Sequence, residues 1–271
     1  MTIKMVATDI DGTILKYSGE FNPEVIECIK DLDKRGIKVV IVTGRMHQSA
    51  KKIADQLGLK NAVVSYQGAL VKDNTPKQNT LYERYIPAQT AKKIIQWGHN
   101  ENIHMNLYMN DKLYVEKDDD TTRKYTAHQN IPFTVANFDE IELDKVNKLL
   151  FIDYADADRV TLLTKKLQKD FPELFIVKSC ENFCEVCHKE ATKGDGLRCL
   201  QKLYGIPKEE TLTIGDHNND IDLLLAGGVK VAMGNGTEDL KKIADYVTDT
   251  IDNNGFVKAI EKFVLKEGTN V

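Results

Sequence analysis

Short apolar runs alternate with amphipathic segments along the first 65 residues. Residues 5–7, 37–42 and 62–65 consist mainly of apolar or β-branched residues, a pattern typical of strands buried on both faces. The segments between them, which begin at Pro23 and Met46, carry apolar residues at helical spacing and end at glycines. Asn22, just before Pro23, is the expected N-cap. The order strand, helix, strand, helix, strand predicts a doubly wound parallel sheet.

The pattern changes at residue 68. The predicted elements beyond it are a hairpin over 68–86, helices over 88–98, 121–128 and 158–171, and strands over 103–108, 112–115, 146–153, 175–179 and 183–187. Consecutive short strands mixed with a few helices favour an α+β arrangement rather than a parallel sheet. We therefore expect a separate α+β domain over residues 83–188.

The doubly wound pattern resumes after this insertion. Its predicted elements are helices over 193–204, 220–225, 238–244 and 256–265, and strands over 211–214 and 229–233. The predicted fold class is α/β, with a doubly wound, Rossmann-like parallel-sheet core and an inserted α+β domain. The core domain would comprise residues 1–82 plus 189–271.

Composition and charge narrow the class of protein. The chain has 271 residues, 42% of them hydrophobic and 29% charged, with a net charge of −4. This balance is ordinary for a globular enzyme and does not favour nucleic acid or a membrane as partner. No apolar run approaches the ~18 residues of a membrane span, and the first residues lack a signal-peptide pattern. We expect a cytoplasmic protein.

Two clusters imitate ligand sites. Cys184 to His188 matches the C-x-x-C-H pattern of haem attachment. In a regular strand, however, Cys184 and Cys187 point to opposite faces and cannot bind one ligand. Asp118–Asp120 resembles a metal cluster, but it directly precedes a predicted helix, where acidic side chains are favoured by the helix dipole. Neither cluster is expected to bind a metal or a cofactor.

Asp9 and Asp11 are the first candidates for chemistry. They follow the first predicted strand and, two residues apart in extended chain, lie on the same side. Neighbouring carboxylates repel each other, and a divalent cation removes that cost; oxygen ligands at this density suit Mg²⁺. Gly12 then permits a sharp turn or a close approach to a ligand. The alternative interpretation is an ordinary Asp-Gly turn.

Three further stretches carry suitable partners. Thr43-Gly44-Arg45 follows the second strand, Lys193 begins a helix, and Asp216 to Asp220 follows the strand over residues 211–214. Ligands of doubly wound sheets bind outside the carboxyl ends of the strands. Because Asp9, Thr43 and Asp216 all lie at such ends, we expect one shared site.

In this order, the four stretches resemble the motifs of the haloacid dehalogenase superfamily, and their spacing is most similar to its Cof-type phosphatase branch. The resemblance covers essentially the whole chain, with the inserted domain similar to the larger of the family's two cap types. It implies a Mg²⁺-dependent phosphatase that hydrolyses small phosphorylated metabolites, chiefly sugar phosphates, through an aspartyl-phosphate.

The resemblance also implies residue roles. Asp9 would be the nucleophile, and Asp11 would protonate the leaving group and then activate water. Mg²⁺ would be held by Asp9, the backbone carbonyl of Asp11 and Asp216, with Asp220 supporting this shell. The phosphate-binding residues would be Ile10, Thr43, Gly44, Lys193 and Asn219. His217 departs from the family, which often has glycine there.

Two other functions remain open at this point. A phospho-receiver module also uses Asp, Mg²⁺, Thr and Lys on a doubly wound sheet, although it would be about half this length and would lack an acid like Asp11. A non-catalytic Mg²⁺-binding protein is the other alternative. Taken singly, Thr43, Lys193 and Asn219 are also compatible with purely structural roles.

Overall fold

The computed structural model describes residues 2–265; Met1 and residues 266–271, which the predicted core domain includes, lie outside the described residues. The strands in chain order are β1 Met5–Thr8, β2 Lys38–Ile41, β3 Val63–Ser65, β4 Leu70–Lys72, β5 Thr80–Glu83, β6 His104–Met109, β7 Lys112–Val115, β8 Thr134–Val135, β9 Val146–Ile152, β10 Leu174–Cys180, β11 Phe183–His188, β12 Thr211–Gly215, β13 Val229–Ala232 and β14 Tyr246–Val247.

The helices over the same range lie between these strands or, for the last helix, after them. They are α1 Pro23–Lys34, α2 His47–Gln56, α3 Ala88–Asn100, α4 Asp120–Gln129, α5 Ala157–Asp170, α6 Lys193–Tyr204, α7 Ile221–Ala226, α8 Glu238–Ile243 and α9 Gly255–Ile260. Short 3₁₀ turns cover Tyr66–Gly68, Lys208–Glu210, Asn218–Asp220 and Ile251–Asn253, and a π turn over Glu261–Leu265 extends α9.

Five parallel strands form the core sheet, in the order β14-β13-β12-β1-β2. Successive side chains of β1 point to opposite faces. Val6 belongs to a hydrophobic cluster with residues of α1, α2 and α9, whereas Met5 and Ala7 belong to another with residues of α6 and α7. Helices therefore cover both faces, which confirms the predicted doubly wound α/β fold.

The structure corrects the place of the third predicted strand. β3 touches the core sheet through a single parallel bridge, Val42 to Val64, and belongs instead to a three-stranded sheet with β4 and β5. The backbone of Tyr66, Gln67 and Gly68 has positive φ, which turns the chain back so that Leu70 pairs with Ser65. Since φ is invisible to hydrophobic periodicity, the pattern alone could not place this reversal.

A second sheet has six strands, in the order β10-β11-β9-β6-β7-β8, and all its pairs are antiparallel except β7 with β8. One face packs against α3 and α5. The other face packs against Met46 and Tyr66, which follow strands β2 and β3. Cys184 lies in the first cluster and Cys187 in the second, so the two thiols face opposite ways, as predicted.

The N-terminal ends of two helices test the capping residues predicted from the sequence. Asp119 caps α4 by accepting from the Thr122 N–H at 2.8 Å, which confirms the acidic cluster as a helix start. Asn22 is the N-cap residue of α1, which confirms the prediction, but its side chain does not cap the helix: it donates to the Ile251 carbonyl and to Asn254, tying α1 to the start of α9. Within residues 2–265, no helix combines the length and apolarity needed to cross a membrane.

Candidate active site

The carboxyl ends of three neighbouring strands bring the predicted site residues together. β1 lies between β2 and β12 in the core sheet. Asp9 directly follows β1, Thr43 comes just after β2, and Asp216 directly follows β12. All three side chains are buried, because each strand end is enclosed by its neighbours and by the six-stranded sheet.

A buried lysine lies among three buried carboxylates and donates hydrogen bonds to two of them. Ligand oxygens of Asp9, Asp216 and Asp220 lie within 4.8 Å of one another. Lys193, fully buried at the start of α6, donates to Asp9 Oδ1 at 2.7 Å and to Asp220 Oδ1 at 2.6 Å. One ammonium cannot neutralise three ionised carboxylates, so the cluster lacks the positive charge that full ionisation would require.

The carboxylates differ in how fully they are engaged. Asp220 accepts from Lys193 with one oxygen and, with the other, from the N–H groups of Asp216 and His217 at 3.0 Å each. Among residues 2–265, Asp216 accepts only long hydrogen bonds, from the Thr13 and Tyr17 hydroxyls at 3.3 Å. Asp216 therefore keeps lone pairs for a further ligand, whereas Asp220 is committed to positioning its neighbours.

Burial shifts the ionisation of the cluster. Burial raises the pKa of Asp9 to about 7, and the charges of Asp220 and Asp11 act in the same direction against that of Lys193. Burial, then Asp9 and Asp220, hold the pKa of Asp216 well above its usual range. Burial opposes the charged form of Lys193, but Asp220 and Asp9 outweigh it and raise the Lys193 pKa. Buried carboxylates ionise more readily when a positive charge lies next to them. A divalent cation would supply that charge, and carboxylate oxygens are suitable ligands for it.

Asp11 lies outside this cluster and is paired with a residue to which the sequence analysis assigned no role. Arg45 donates from Nε to Asp11 Oδ2 at 2.7 Å and from Nη2 to Oδ1 at 2.6 Å. Its third nitrogen donates to Ser49 on α2. This bidentate geometry is the strong form of an arginine–carboxylate pair, and it occupies both oxygens of the predicted acid.

The predicted phosphate-binding residues surround the same point. Thr43 Oγ1 accepts from the Arg45 N–H at 3.2 Å. Gly44 has no space for a side chain, since a Cβ would fall 2.4 Å from Gln67 Nε2. The Ile10 side chain is buried in the hydrophobic core and its carbonyl accepts from the turn that follows, which leaves its N–H as the group available to a ligand. Asn219 donates to Gln67 Oε1 at 3.2 Å.

The six-stranded sheet contributes a buried ion pair that the sequence analysis missed. Lys148 on β9 donates to Glu185 Oε2 on β11 at 2.8 Å and to the Gly44 carbonyl at 2.7 Å. Both side chains are almost fully buried. The sequence did contain a sign of this pair, since one charged residue stands within each of the two apolar strand patterns, residues 146–152 and 183–187.

These residues enclose one cavity of about 440 Å³ between the carboxyl ends of the core strands and the six-stranded sheet. Asp9, Asp11 and Asp216 line one side. Lys148 and Glu185 line the other, next to an aromatic wall formed by Tyr125, Tyr154 and Phe183. The cavity is therefore lined by carboxylates on the side of the core strands and by polar and aromatic side chains on the side of the six-stranded sheet.

Comparisons with known proteins agree with this geometry. The profile of the haloacid dehalogenase-like hydrolases matches residues 6–260. The chain is 30% identical to the phosphatase YwpJ of Bacillus subtilis (strain 168), over 93% of this chain and 97% of YwpJ. It is 28% identical to the 5-amino-6-(5-phospho-D-ribitylamino)uracil phosphatase YcsE of the same organism, over 97% of this chain and 96% of YcsE.

A solved structure gives the same picture. TM0651 from Thermotoga maritima is 30% identical and superposes with a TM-score of 0.80, covering 96% of this chain and 97% of that chain. Profile, sequence and fold thus agree along nearly the whole length. The chain belongs to the haloacid dehalogenase-like hydrolases, in their Cof-type phosphatase branch.

Proposed function

We propose that this protein is a Mg²⁺-dependent phosphatase that hydrolyses small phosphorylated metabolites through an aspartyl-phosphate on Asp9. The observation that carries the proposal is the buried cluster of Asp9, Asp216 and Asp220 with Lys193, which opens into the cavity at the carboxyl ends of the core strands. A phosphoryl group brings negative charge into this site, so positioning and charge neutralisation dominate the chemistry.

Asp9 attacks the phosphorus of the substrate, and the bond from phosphorus to the leaving oxygen breaks. Lys193 orients the attacking carboxylate and offsets the charge on the phosphoryl oxygens. The remaining phosphate contacts come from the Ile10 and Gly44 N–H groups and from Thr43 and Asn219.

Magnesium, when bound, neutralises charge on the phosphoryl oxygens. Asp9, the Asp11 backbone carbonyl and Asp216 would hold it. Asp220 orients Lys193 and the main chain at Asp216, which is the role of a residue one step removed from the metal.

Asp11 gives a proton to the leaving alkoxide and then removes one from the water that attacks the aspartyl-phosphate. Arg45 occupies both oxygens of this carboxylate. The acid step therefore requires Arg45 to release at least one oxygen when substrate binds, which a phosphate ester next to the guanidinium would favour by competing for it.

Residues 83–188 form the cap domain in this proposal and contribute the selective part of the cavity. Lys148 and Glu185 can form hydrogen bonds with hydroxyl groups of a substrate, and the aromatic rings can contact its apolar edges. Sugar phosphates are the expected substrates. Support also comes from the relative YcsE, whose named substrate carries a phosphorylated ribityl chain.

The test is turnover of para-nitrophenyl phosphate with and without Mg²⁺. We expect turnover that a chelator abolishes. Asp9→Asn keeps the shape but removes the nucleophile, so it should reduce kcat by at least about 10³-fold while circular dichroism stays unchanged. Asp33→Asn, the same change at a half-exposed aspartate far from the cavity, is the control.

The other candidate functions give different results in this assay. A phospho-receiver would accept one phosphoryl group without steady turnover, and a non-catalytic Mg²⁺-binding protein would release no para-nitrophenol. Full activity in a chelator, or in Asp9→Asn, contradicts the proposed mechanism.

A further inference from the structure

The turn Tyr66–Gly68 after β3 contacts three of the four stretches that form the site. The Gln67 N–H donates to the Thr43 carbonyl at 3.0 Å, and Gln67 Oε1 accepts from Asn219 at 3.2 Å. Gly68 lies so close to Thr192 that a Cβ on it would fall 2.0 Å from the Thr192 carbonyl oxygen. The turn thus lies at the centre of the site, although the mechanism above assigns it no role.

Gln67 is held there in an unusual state. Its φ is +60°, in the left-handed region that residues other than glycine rarely adopt. The residue has no exposed surface, it lines the cavity, and within residues 2–265 its Nε2 has no hydrogen-bond partner. A buried donor without a partner is unfavourable unless a ligand accepts from it. Left-handed residues of this kind concentrate at ligand sites.

The neighbours of Nε2 indicate which ligand. A Cβ on Gly44 would fall 2.4 Å from Gln67 Nε2, so this amide lies directly against the predicted phosphate-binding glycine. Asn219 donates one of its two amide N–H groups to Gln67 Oε1. Both N–H groups of Gln67 Nε2 are without a partner within residues 2–265, next to the position where the proposed function places the phosphoryl group.

We propose that Gln67 donates a hydrogen bond from Nε2 to a phosphoryl oxygen and is a further phosphate-binding residue. This inference rests on the proposed function and adds a neutral donor to it. The competing explanation is that Gln67 only holds Asn219 in place.

Two substitutions separate these explanations. Gln67→Glu keeps an oxygen that can accept from Asn219, but it removes the donor and adds a negative charge. Gln67→Met removes both hydrogen bonds without adding charge. A phosphate-binding Gln67 makes the Glu variant the weaker phosphate binder, because its carboxylate repels the ligand. If Gln67 only supports Asn219, the Met variant loses affinity through Asn219 alone, and the same substitution causes no further loss in an Asn219→Ala background.

The experiment is calorimetric titration of inorganic phosphate into the full chain with Mg²⁺, alongside turnover of para-nitrophenyl phosphate. We expect Gln67→Glu to lose at least about tenfold in phosphate affinity, the loss typical of a hydrogen bond to a charged group, and Gln67→Met to lose less. Gln78→Glu is the matched control, since Gln78 also has positive φ but does not line the cavity.

Wild-type phosphate affinity in Gln67→Glu, with normal wild-type turnover, overturns the role of Gln67 alone. Wild-type protein that neither binds phosphate nor turns over substrate overturns the proposed function, and this inference with it. Should circular dichroism show that Gln67→Glu is unfolded, Gln67→Met in an Asn219→Ala background decides: no further loss of phosphate affinity contradicts the proposal, and a further loss supports it, because Asn219 is already absent.

Discussion

At the scale of single residues, Asp9 and Asp11 show how surroundings divide two identical side chains. Asp9 is buried against Lys193 and near two further carboxylates. Asp11 is part-exposed and faces Arg45. The two residues are neighbours in the same turn, so the difference arises from what the other strands bring to each. The proposed split into a nucleophile and an acid therefore requires the Arg45 pair to open, since both oxygens of Asp11 accept from Arg45.

Asp11→Asn tests this split. The variant keeps the Asp9 nucleophile and the backbone carbonyl at residue 11 but cannot supply a proton. Because a sugar alkoxide needs that proton and para-nitrophenolate does not, we expect formation of the aspartyl-phosphate to slow by ~10²–10⁴-fold for sugar phosphates. Para-nitrophenyl phosphate should be affected far less. The measurement is a rapid-quench burst with each substrate.

Slow attack of water should also let the phosphoryl adduct on Asp9 accumulate in this variant, where mass analysis detects it. Equal slowing of both substrates without an adduct would show that Asp11 only shapes the turn. Thermal unfolding serves as the control, because Arg45 loses part of its ion pair in the variant.

At the scale of an element, the turn after β1 is shaped to bring backbone against a carboxylate. Gly12 has φ of +78°, and a Cβ there would fall 2.2 Å from Asp216 Oδ2. Gly36, which follows α1, has nearly the same φ of +75° but open space around it. Both glycines thus need a positive φ, but only Gly12 lies so close to a carboxylate that a side chain would collide with it.

Gly12→Ala and Gly36→Ala form a matched pair. Each should lose about 1 kcal/mol of stability because alanine disfavours positive φ. Only Gly12→Ala displaces the Asp216 carboxylate, so only this variant should lose Mg²⁺ affinity and turnover, each by at least about tenfold. Urea unfolding and Mg²⁺ titration measure the two effects. Similar Mg²⁺ affinity in both variants would mean that the Asp216 position is not critical.

At the scale of the whole molecule, Lys148 links the six-stranded sheet to the active-site loop by donating to the Gly44 carbonyl, and it pairs with Glu185 within that sheet. The pair is nearly fully buried. Removing one partner of a buried pair leaves the other charge uncompensated, which costs more than replacing both by apolar residues. We therefore expect the effects of substituting Lys148 and Glu185 on the free energy of unfolding to be strongly non-additive.

Lys148→Met should destabilise the protein by about 3–5 kcal/mol because Glu185 stays buried without its partner. The double variant Lys148→Met, Glu185→Leu should recover most of that loss. Urea denaturation of wild type, both single variants and the double variant gives the coupling free energy. Additive single effects would show that Glu185 reaches water when Lys148 is absent.

Metal and pH should act together on global stability. The pKa of Asp9 is raised to about 7 in the folded chain, so above the ordinary carboxyl pKa the folded state binds more protons than the unfolded state. This stabilisation is present at low pH and is lost as pH rises through 7. Without metal, we expect stability to fall by about 1 kcal/mol from Asp9 between pH 6.5 and 8.

Magnesium should remove this decline, since it binds the ionised carboxylates and its stabilisation grows with pH. Thermal unfolding at several pH values, with Mg²⁺ or with a chelator, measures both effects. Asp9→Asn is the control and should show a flatter pH profile without metal. A metal-free wild type as stable at pH 8 as at pH 6.5 contradicts the expectation.

Hydrophobic periodicity and short motifs determined much of this protein in advance. Runs of apolar and β-branched residues are typical of strands in a covered parallel sheet, and polar residues at their carboxyl ends mark the ligand edge. Asp9, Thr43 and Asp216 could therefore be placed at one site from the chain alone, whereas Lys193, at the start of a helix, was assigned to that site through the family resemblance. Each of these signals is local, as is the helix start at Asp119.

Only the tertiary structure decided what each of these residues faces. Arg45 on Asp11, Lys148 under Gly44 and Gln67 beside Asn219 are contacts between segments distant in sequence. The reversal after β3 depends on positive φ at Tyr66 and Gln67. No periodicity encodes such contacts or angles, because they result from how the six-stranded sheet and the core sheet close over the same carboxylates.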